Sequence, residues 1–508
     1  MSNAVGSERI SRIVGYLLST GDFSETSPNL PQRIVILGEA NFANQGSLDI
    51  SAKEITSAKQ AGDLYGYGSP IHIATRILRP NSGAGIGGIP TIVVAQAQAA
   101  GAVSKIIKVT PVGTATANVT HTLRIAGRKN VDGSNYDINI VSGDTTSQIS
   151  AKIRDAVNNV LGCPMIGTYF GYEARLESKW KGLTAEGLTV SIDTGNNAAG
   201  ITYTVTSIQS GSATPSIAAA LALFANEWNT IVVNTYGAVT SIMDALEAFN
   251  GIPSPENPTG RYTGIIMKPF VALTGSVLDD PTTITDSRSS QVTISICPAP
   301  LSPGLAMEAA ANVALLKGRQ AQDNPHLDVS GMSYPDMPIP IDKNIGSMAD
   351  YNNRDSFVKK GCSTVDLGAE RYVIQEIVTT YHPVGENPAQ FNYVRNLDID
   401  FNVKFGYYLL EQINVVDHAI VADNAAVVVP KTIKPKQWVQ ILRKYADDLE
   451  QRGLITDAAF MKSSIKVSTS TTNPNRFQTK FRYKRSGYVI ISDTEATAGF
   501  SFGSLNVA

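Results

Sequence analysis

The sequence predicts a multidomain protein of mixed α/β class. An α/β core is interrupted by a β-rich insertion and followed by a smaller α+β domain. The chain has 508 residues, enough for two to four domains. Short apolar strands alternate with helical patterns on both sides of a central segment, which is typical of a parallel sheet covered by helices. That segment, residues 101–212, is rich in Thr, Val, Gly, Asn and Ser and alternates as strands do.

The first half of the predicted core ends at about residue 100. Residues 33–40 and 90–96 are apolar runs, and each predicts a buried strand. Ser51 and Glu54 have the spacing of a capping box, so helices are expected from there to about residue 78. The glycine-rich tract at residues 81–88 precedes a strand, whereas a dinucleotide-binding loop follows one. It therefore predicts a loop and not a phosphate site.

The insertion and the second half of the core follow. In the insertion, strands are predicted at residues 105–109, 120–126, 135–140, 188–192 and 201–205. Thr145 and Gln148 predict the capping box of a helix that reaches residue 161. In the second half of the core, helices are predicted at residues 215–227, 242–249 and 303–320, and strands at residues 230–234, 263–267 and 292–296.

The C-terminal domain is predicted from two amphipathic elements. A helix at residues 402–413 precedes a second one at residues 434–452, which carries its apolar stripe on Trp438, Ile441, Leu442, Tyr445 and Leu449. Residues 476–484 then alternate strictly and predict a half-buried strand. Its inner face is Phe477, Thr479, Phe481 and Tyr483, and its outer face is basic. Residues 488–491 predict a further short apolar strand.

Composition and motifs argue against several classes of function. The net charge of −2 is not that of a nucleic-acid-binding chain. Cys163, Cys297 and Cys362 are far apart, so buried free thiols are expected. No signal peptide or membrane span is predicted, and the chain has neither a P-loop nor an HExxH motif. We therefore expect no cofactor-binding and no metal site.

A serine motif lies at residues 346–349. Gly346-Ser347-Met348-Ala349 is similar to the serine segment of subtilisin-like proteases, but the Thr and Pro of that motif are missing. No histidine segment supplies a base. We expect no catalytic residue here, and the motif is predicted to cap a helix at residues 351–360.

Charge is distributed unevenly along the chain. Residues 431–485 hold 13 Lys and Arg against 4 Asp and Glu, a local charge of +9 that leaves −11 for the remainder. An ordinary solvated surface explains this, and so does a docking face for an acidic partner.

Four segments resemble contractile tail sheath proteins of myoviruses: residues 14–23, 29–40, 371–380 and 449–455. The resemblance implies a subtilisin-like α/β core without protease chemistry, an outward insertion domain, a tube-facing α+β C-terminal domain and extended terminal arms. The implied limits are an N-terminal arm at 1–21, a core at 22–100 and 213–380, an insertion at 101–212, a C-terminal domain at 381–486 and a C-terminal arm at 487–508.

The resemblance also implies a mode of action. Such subunits are not enzymes and need no cofactor. They polymerise as stacked hexameric rings around a tail tube and contract from a metastable state to drive the tube through the host envelope. Implied partners are further copies, the tail tube protein, and baseplate and tail terminator proteins, with no direct nucleic acid and no membrane insertion. The implied location is the virion, and the host cytoplasm during assembly. The sheath of a phage-like bacteriocin or other contractile injection system, a tail tube or other virion protein, and a subtilisin-like hydrolase remain alternatives.

The apolar terminal segments, the uneven charge and the resemblance together predict the residues that contact other chains. A lone terminal apolar strand cannot bury itself, so it must pair with another chain. The N-terminal arm would use Ile10, Ile13, Val14, Tyr16, Leu17 and Leu18. The C-terminal arm would use Tyr488, Val489, Ile490 and Ile491. The strand that receives the arms would be that of Phe477, Thr479, Phe481 and Tyr483. The tube-facing cations would be Lys434, Lys436, Arg443, Lys444 and Arg452.

Overall fold

A computed structural model of the chain describes residues 28–83, 85–254, 257–262, 267–386, 390–427 and 429–498. The described residues divide into two compact units, residues 30–402 with 487–498, and residues 403–486 with 28 and 29. The predicted N-terminal arm at residues 1–21 lies outside the described residues, as does most of the strand predicted at 263–267. The domain limits drawn from the sequence stay predictions.

The fold is mixed α/β with several separate sheets. The strands are β1 (Ile34–Glu39), β2 (Ala52–Glu54), β3 (Thr91–Gln96), β4 (Ile106–Val112), β5 (Val119–Ile125), β6 (Asn130–Val131), β7 (Ser134–Asn135), β8 (Asp137–Ile140), β9 (Met165–Phe170), β10 (Glu173–Ser178), β11 (Val190–Asp193), β12 (Thr202–Gln209), β13 (Ile231–Asn234), β14 (Val271–Ser276), β15 (Ile294–Pro298), β16 (Thr364–Gly368), β17 (Arg371–Glu376), β18 (Ala419–Ile420), β19 (Thr432–Ile433), β20 (Lys466–Thr469) and β21 (Phe477–Lys480). The helices are α1 (Ala58–Tyr65), α2 (Pro70–Leu78), α3 (Thr146–Asn158), α4 (Ala218–Ala222), α5 (Thr240–Asn250), α6 (Thr282–Thr285), α7 (Ala306–Asp323), α8 (Tyr351–Lys359), α9 (Val394–Asn414), α10 (Pro435–Gln451) and α11 (Ala458–Ser464). In the described part of the chain, none of these helices has the length and apolar character that crossing a membrane requires.

The core sheet has six strands in the order β15-β14-β13-β1-β3-β2. Its neighbouring pairs are parallel except β2–β3. Every strand but β2 is buried along its whole length, as expected for parallel strands covered on both faces. Val35 and Leu37 join one buried cluster with residues of α4 and α5, while α2 and α7 contact the same sheet. The predicted largely parallel sheet is confirmed.

The chain leaves the core sheet after β3 and returns to it at β13, beside β1. Between them lie a four-stranded sheet, β12-β4-β10-β9, and a three-stranded sheet, β11-β5-β8. The predicted capping box of α3 is confirmed, with the Thr145 side chain accepting from Gln148 N and the Gln148 side chain accepting from Thr145 N. The buried cluster of this region also includes Ile73, Leu305 and Met307, which belong to the core. The insertion and the core therefore share buried packing.

Two local predictions are wrong, and one hairpin was not predicted. Ser51 and Glu54 do not form a capping box, because residues 52–54 pair with β3 as strand β2 and the next helix is capped by Ser57. The helix predicted at 215–227 is reduced to the five residues of α4, which has no side-chain cap and is followed by a positive φ of 42° at Ala225. The β16–β17 hairpin lies in a region where no strand was predicted at all.

The second unit packs around α10. Trp438, Leu442, Tyr445 and Leu449 of the predicted stripe are buried, while Ile441 is half-buried. Ile433, Trp438, Leu442 and Ile465 form its apolar cluster, against which side chains of β20 and β21 pack. The helix predicted at 402–413 is confirmed as part of α9, which begins earlier, at Val394.

All three cysteines are buried and free, as predicted. Burial raises the pKa of the Cys163 and Cys297 thiols, and it raises the pKa of Cys362 to about 12. A buried thiol with a raised pKa is a poor nucleophile, so these cysteines serve packing.

Candidate assembly surfaces

The predicted arm-receiving strand alternates as expected. Phe477, Thr479, Phe481 and Tyr483 are half-buried, and the intervening side chains are exposed. Trp438 Nε1 donates to Thr479 Oγ1 at 3.0 Å, and the Phe481 ring lies 5.5 Å from that of Tyr407. These side chains are therefore held by their own unit, and any arm they receive must pair with the backbone edge.

The strand itself is shorter than predicted. Only residues 477–480 pair with β20. Beyond them, Arg482 N donates to Ser464 Oγ at 2.8 Å, and Thr456 N donates to Lys484 O at 3.1 Å. The chain thus follows other segments of the unit after residue 480. Because the β20–β21 sheet has two strands, each keeps one edge that no described strand covers.

The C-terminal arm does not form the strand predicted at residues 488–491. Tyr488, Val489, Ile490 and Ile491 are 37%, 81%, 41% and 78% exposed, and they pair with no described strand. A strand needs a partner for its backbone groups, and a single chain offers none here. The Arg395 guanidinium lies 5.5 Å from the Tyr488 ring centre. The three aliphatic residues after Tyr488 are exposed. The predicted N-terminal arm residues lie outside the described residues.

The predicted tube-facing cations differ in how exposed they are. Lys436, Arg443 and Lys444 are exposed, and no described residue forms an ion pair with them. Lys434 is half-buried and donates from Nζ to Ala425 O at 2.6 Å. Arg452 differs, because its side chain is only 11% exposed and its guanidinium lies 3.5 Å from Asp448 Oδ2 and donates to Asn29 Oδ1 at 2.7 Å. Arg452 is therefore largely enclosed by its own unit, and its contact with the tube stays a prediction.

The serine motif is structural. Ser347 donates from Oγ to Asp279 Oδ2 at 2.9 Å and from its backbone N to Asp279 Oδ1 at 2.6 Å. In the described part of the chain no histidine bonds to Ser347, so it lacks the base that a serine nucleophile requires. The motif forms a 3₁₀ turn, and the cap of α8 is Asp350, which accepts from Asn352 N and Asn353 N. The predicted capping role therefore belongs to Asp350.

An ion-pair network joins the insertion to the core. Glu308 of α7 is buried, and its Oε1 accepts from Arg128 Nη2 at 2.7 Å and from Arg128 Nε at 3.1 Å. Arg76 of α2 lies 3.9 Å from the same oxygen and 3.6 Å from Asp336 Oδ2, and Arg128 also pairs with Asp336. Two nearly buried arginines thus share the buried carboxylate of Glu308, with the more exposed Asp336 as their second partner.

A second buried carboxylate lies at the same joint. Glu39 ends β1 and is 2% exposed, and Thr184 of the insertion donates to its Oε2 at a long 3.5 Å. Burial raises the pKa of Glu39 to about 8, against which the Thr184 hydrogen bond acts only weakly. The folded state therefore keeps this side chain neutral at pH values where the unfolded chain ionises.

We expect Glu39→Gln to change the pH dependence of stability. Because the folded pKa is raised above its ordinary value of 4.5, the wild type loses stability as pH rises from about 4.5 to 8. Each unit of pKa difference corresponds to about 1.4 kcal/mol. The variant should lose less free energy of unfolding over this window, measured by denaturant titration at pH 5 and pH 8. Equal losses in both proteins would contradict the buried neutral carboxyl.

No protein-family model matches the chain. A curated relative is the Mu-like prophage FluMu tail sheath protein of Haemophilus influenzae, 22% identical over 463 residues that cover 88% of this chain and 89% of the relative. The chain is similar to a tail sheath protein. The resemblance predicted from the sequence is thereby confirmed.

Two solved sheath structures also align with the chain. The sheath tail protein of Desulfitobacterium hafniense gives a TM-score of 0.42 at 11% identity, covering 92% of this chain and 99% of that one. The helical sheath of the anti-feeding prophage, in its contracted state, gives 0.42 at 10% identity, covering 97% and 100%.

The residues of the ion-pair network were not predicted from the sequence. Glu308, Arg128 and Arg76 are spread over three distant segments, and no local pattern connects them. One signal was present, since Glu308 stands three residues after Leu305 and accepts from its backbone N at 2.9 Å, as an N3 glutamate does.

Proposed function

We propose that the chain is the structural subunit of a contractile tail sheath that polymerises around a tail tube, and that it is not an enzyme. The observation that carries this proposal is the similarity to a tail sheath protein along nearly the whole of both chains. The serine motif without a base supports the non-enzymatic assignment. The α/β core is proposed to be subtilisin-like, as the sequence resemblance implies.

The proposed assembly consists of stacked hexameric rings that contract from a metastable extended state. Its further partners are the tube, baseplate and tail terminator proteins, and its location is the virion tail after assembly in the host cytoplasm. Energy stored in subunit conformation drives the tube, so no nucleotide or other cofactor is required.

Strand exchange is the proposed link between subunits. The apolar, exposed residues 488–491 need a partner strand, and the β20–β21 sheet has uncovered edges. Pairing at such an edge supplies backbone hydrogen bonds worth about 1 kcal/mol each. Several such bonds, with burial of Val489 and Ile491, would hold subunits together while their domains move.

Electron microscopy of the purified chain in negative stain tests the proposal. Helical tubes or rings are expected. A uniform monomer with hydrolase activity would overturn it.

The tube contact is proposed to use the exposed cations of α10. Exposed charge pairs contribute about 0–1 kcal/mol each, which suits a contact that must break on contraction. We expect Arg443→Glu with Lys444→Glu to reduce co-sedimentation of sheath with purified tube, while self-assembly persists. The matched control is Lys360→Glu with Arg371→Glu, which reverses two other exposed cations that no described residue pairs with. Unchanged tube binding in the α10 variant would contradict the assignment.

A further inference from the structure

The four-stranded sheet of the insertion has two edges that differ in protection. The β9 edge is covered at Gly167, where the Asn158 side chain donates to the carbonyl oxygen at 2.9 Å and accepts from the backbone N at 2.8 Å. Met165 N also donates to Cys163 Sγ at 3.5 Å. Side-chain cover of this kind prevents pairing with another strand. Strand β12, at the opposite edge, has no such cover among the described residues.

Hydrogen-bond alternation shows which groups of β12 point outward. Because Asn158 holds both backbone groups of Gly167, these groups point away from β10, and Leu176 opposite Gly167 bonds toward Ile107 of β4. Lys108 and Thr110, the alternate residues of β4, then bond to β12.

The partners of Lys108 and Thr110 are Thr206 and Thr204. The backbone groups of Tyr203 and Val205 therefore point away from the sheet. The strand is open to solvent here as well, since residues 204–208 are exposed and Val205 and Ile208 are 38% and 43% exposed.

The sequence of β12 lacks the charged and proline residues that usually block an edge. Its eight residues, TYTVTSIQ, contain no charge and no proline, and are rich in β-branched side chains. The absence of charge favours a second copy as the partner. Across a two-fold axis an uncharged strand brings no like charges together when it pairs with itself.

We propose that β12 pairs antiparallel with β12 of a second copy, with Val205 opposite Val205. In this register Thr204 faces Thr206 of the second copy, and Tyr203 faces Ser207, which are favourable cross-strand pairs. The ladder is limited by the bulge between Ser207 and Gln209. A two-fold contact cannot recur along a tube whose subunits all point the same way, so the dimer belongs to the unpolymerised chain and goes beyond the proposed sheath function.

Disulfide trapping tests the contact. Directly bonded residues of an antiparallel pair have Cα atoms about 5.5 Å apart, within the reach of a disulfide. Val205→Cys should therefore give crosslinked dimers and nothing larger on a non-reducing gel after mild oxidation. The three native cysteines are buried and do not interfere. Ile166→Cys on β9 is the matched control, since Ile166 is 40% exposed on the protected edge. It should stay monomeric.

Sedimentation equilibrium provides the second measurement. Val205→Lys places two ammonium groups opposite each other and should weaken dimerisation at least about tenfold. Ile166→Lys should leave it unchanged. The proposal is overturned if Val205→Cys fails to crosslink, if Ile166→Cys crosslinks equally, or if both lysine variants associate like the wild type. None of these outcomes depends on whether the chain forms tubes.

Discussion

Deletion of residues 1–18 is expected to leave a folded chain that no longer forms tubes. The described residues begin at position 28, so none of the packing described for either unit involves a residue that the deletion removes. It does remove the apolar cluster Ile10 to Leu18, which we propose as the arm that adds a strand to a neighbouring subunit. Circular dichroism should match the full chain, while negative-stain images should show no tubes.

A control variant of unchanged length distinguishes loss of the apolar cluster from shortening of the chain. Residues 2–8 precede the apolar cluster and are mostly small or polar, so replacing them with a Gly/Ser sequence keeps the length and the cluster. This variant should still polymerise. Long tubes formed by the deletion variant would refute the arm model.

Glu308→Ala is expected to give the largest loss of stability among single substitutions considered. It removes the buried carboxylate on which Arg128 and Arg76 depend, and breaking a buried ion pair from one side costs about 3–5 kcal/mol. It also removes the oxygen that accepts from Leu305 N at the start of α7. Urea denaturation should report the loss as a lower midpoint.

Glu370→Ala is the control for this substitution. Glu370 pairs with Lys343 at 2.6 Å, but the two side chains are 71% and 56% exposed. Solvent-exposed pairs contribute about 0–1 kcal/mol, so the midpoint should barely change. If both substitutions lowered the urea midpoint equally, the ion-pair network between insertion and core would stabilise the chain no more than an exposed pair does.

Local patterns predicted much of the secondary structure. The alternation at residues 476–484 reappears in the burial of each side chain, and the spacing of Thr145 and Gln148 forms the predicted capping box. Both features depend on groups only two to four residues apart. The apolar run at residues 33–40 likewise predicted a buried strand, because continuous apolar runs are typical of parallel sheets covered on both faces.

Features that depend on distant partners were missed. Residues 52–54 have a capping-box pattern, yet pairing with β3, about 40 residues later, makes them a strand. Arg452 has the periodicity of an exposed helix end, but Asn29 and Asp448 enclose it. The open edge of β12 was equally hidden, because an alternating strand does not indicate which of its sides is paired. The assembly residues remain predictions, since their partners are other chains.

The buried packing shared between insertion and core restricts how the chain can be re-engineered. Ile73, Leu305 and Met307 lie outside residues 101–212 but are buried against them. Exchanging that segment for a foreign module would uncover these three side chains and remove Arg128, which pairs with the buried Glu308. A replacement module that matches only the two points where the chain leaves and re-enters the core would therefore yield an insoluble product. A replacement module must therefore supply an apolar surface against Ile73, Leu305 and Met307 and an arginine that pairs with Glu308.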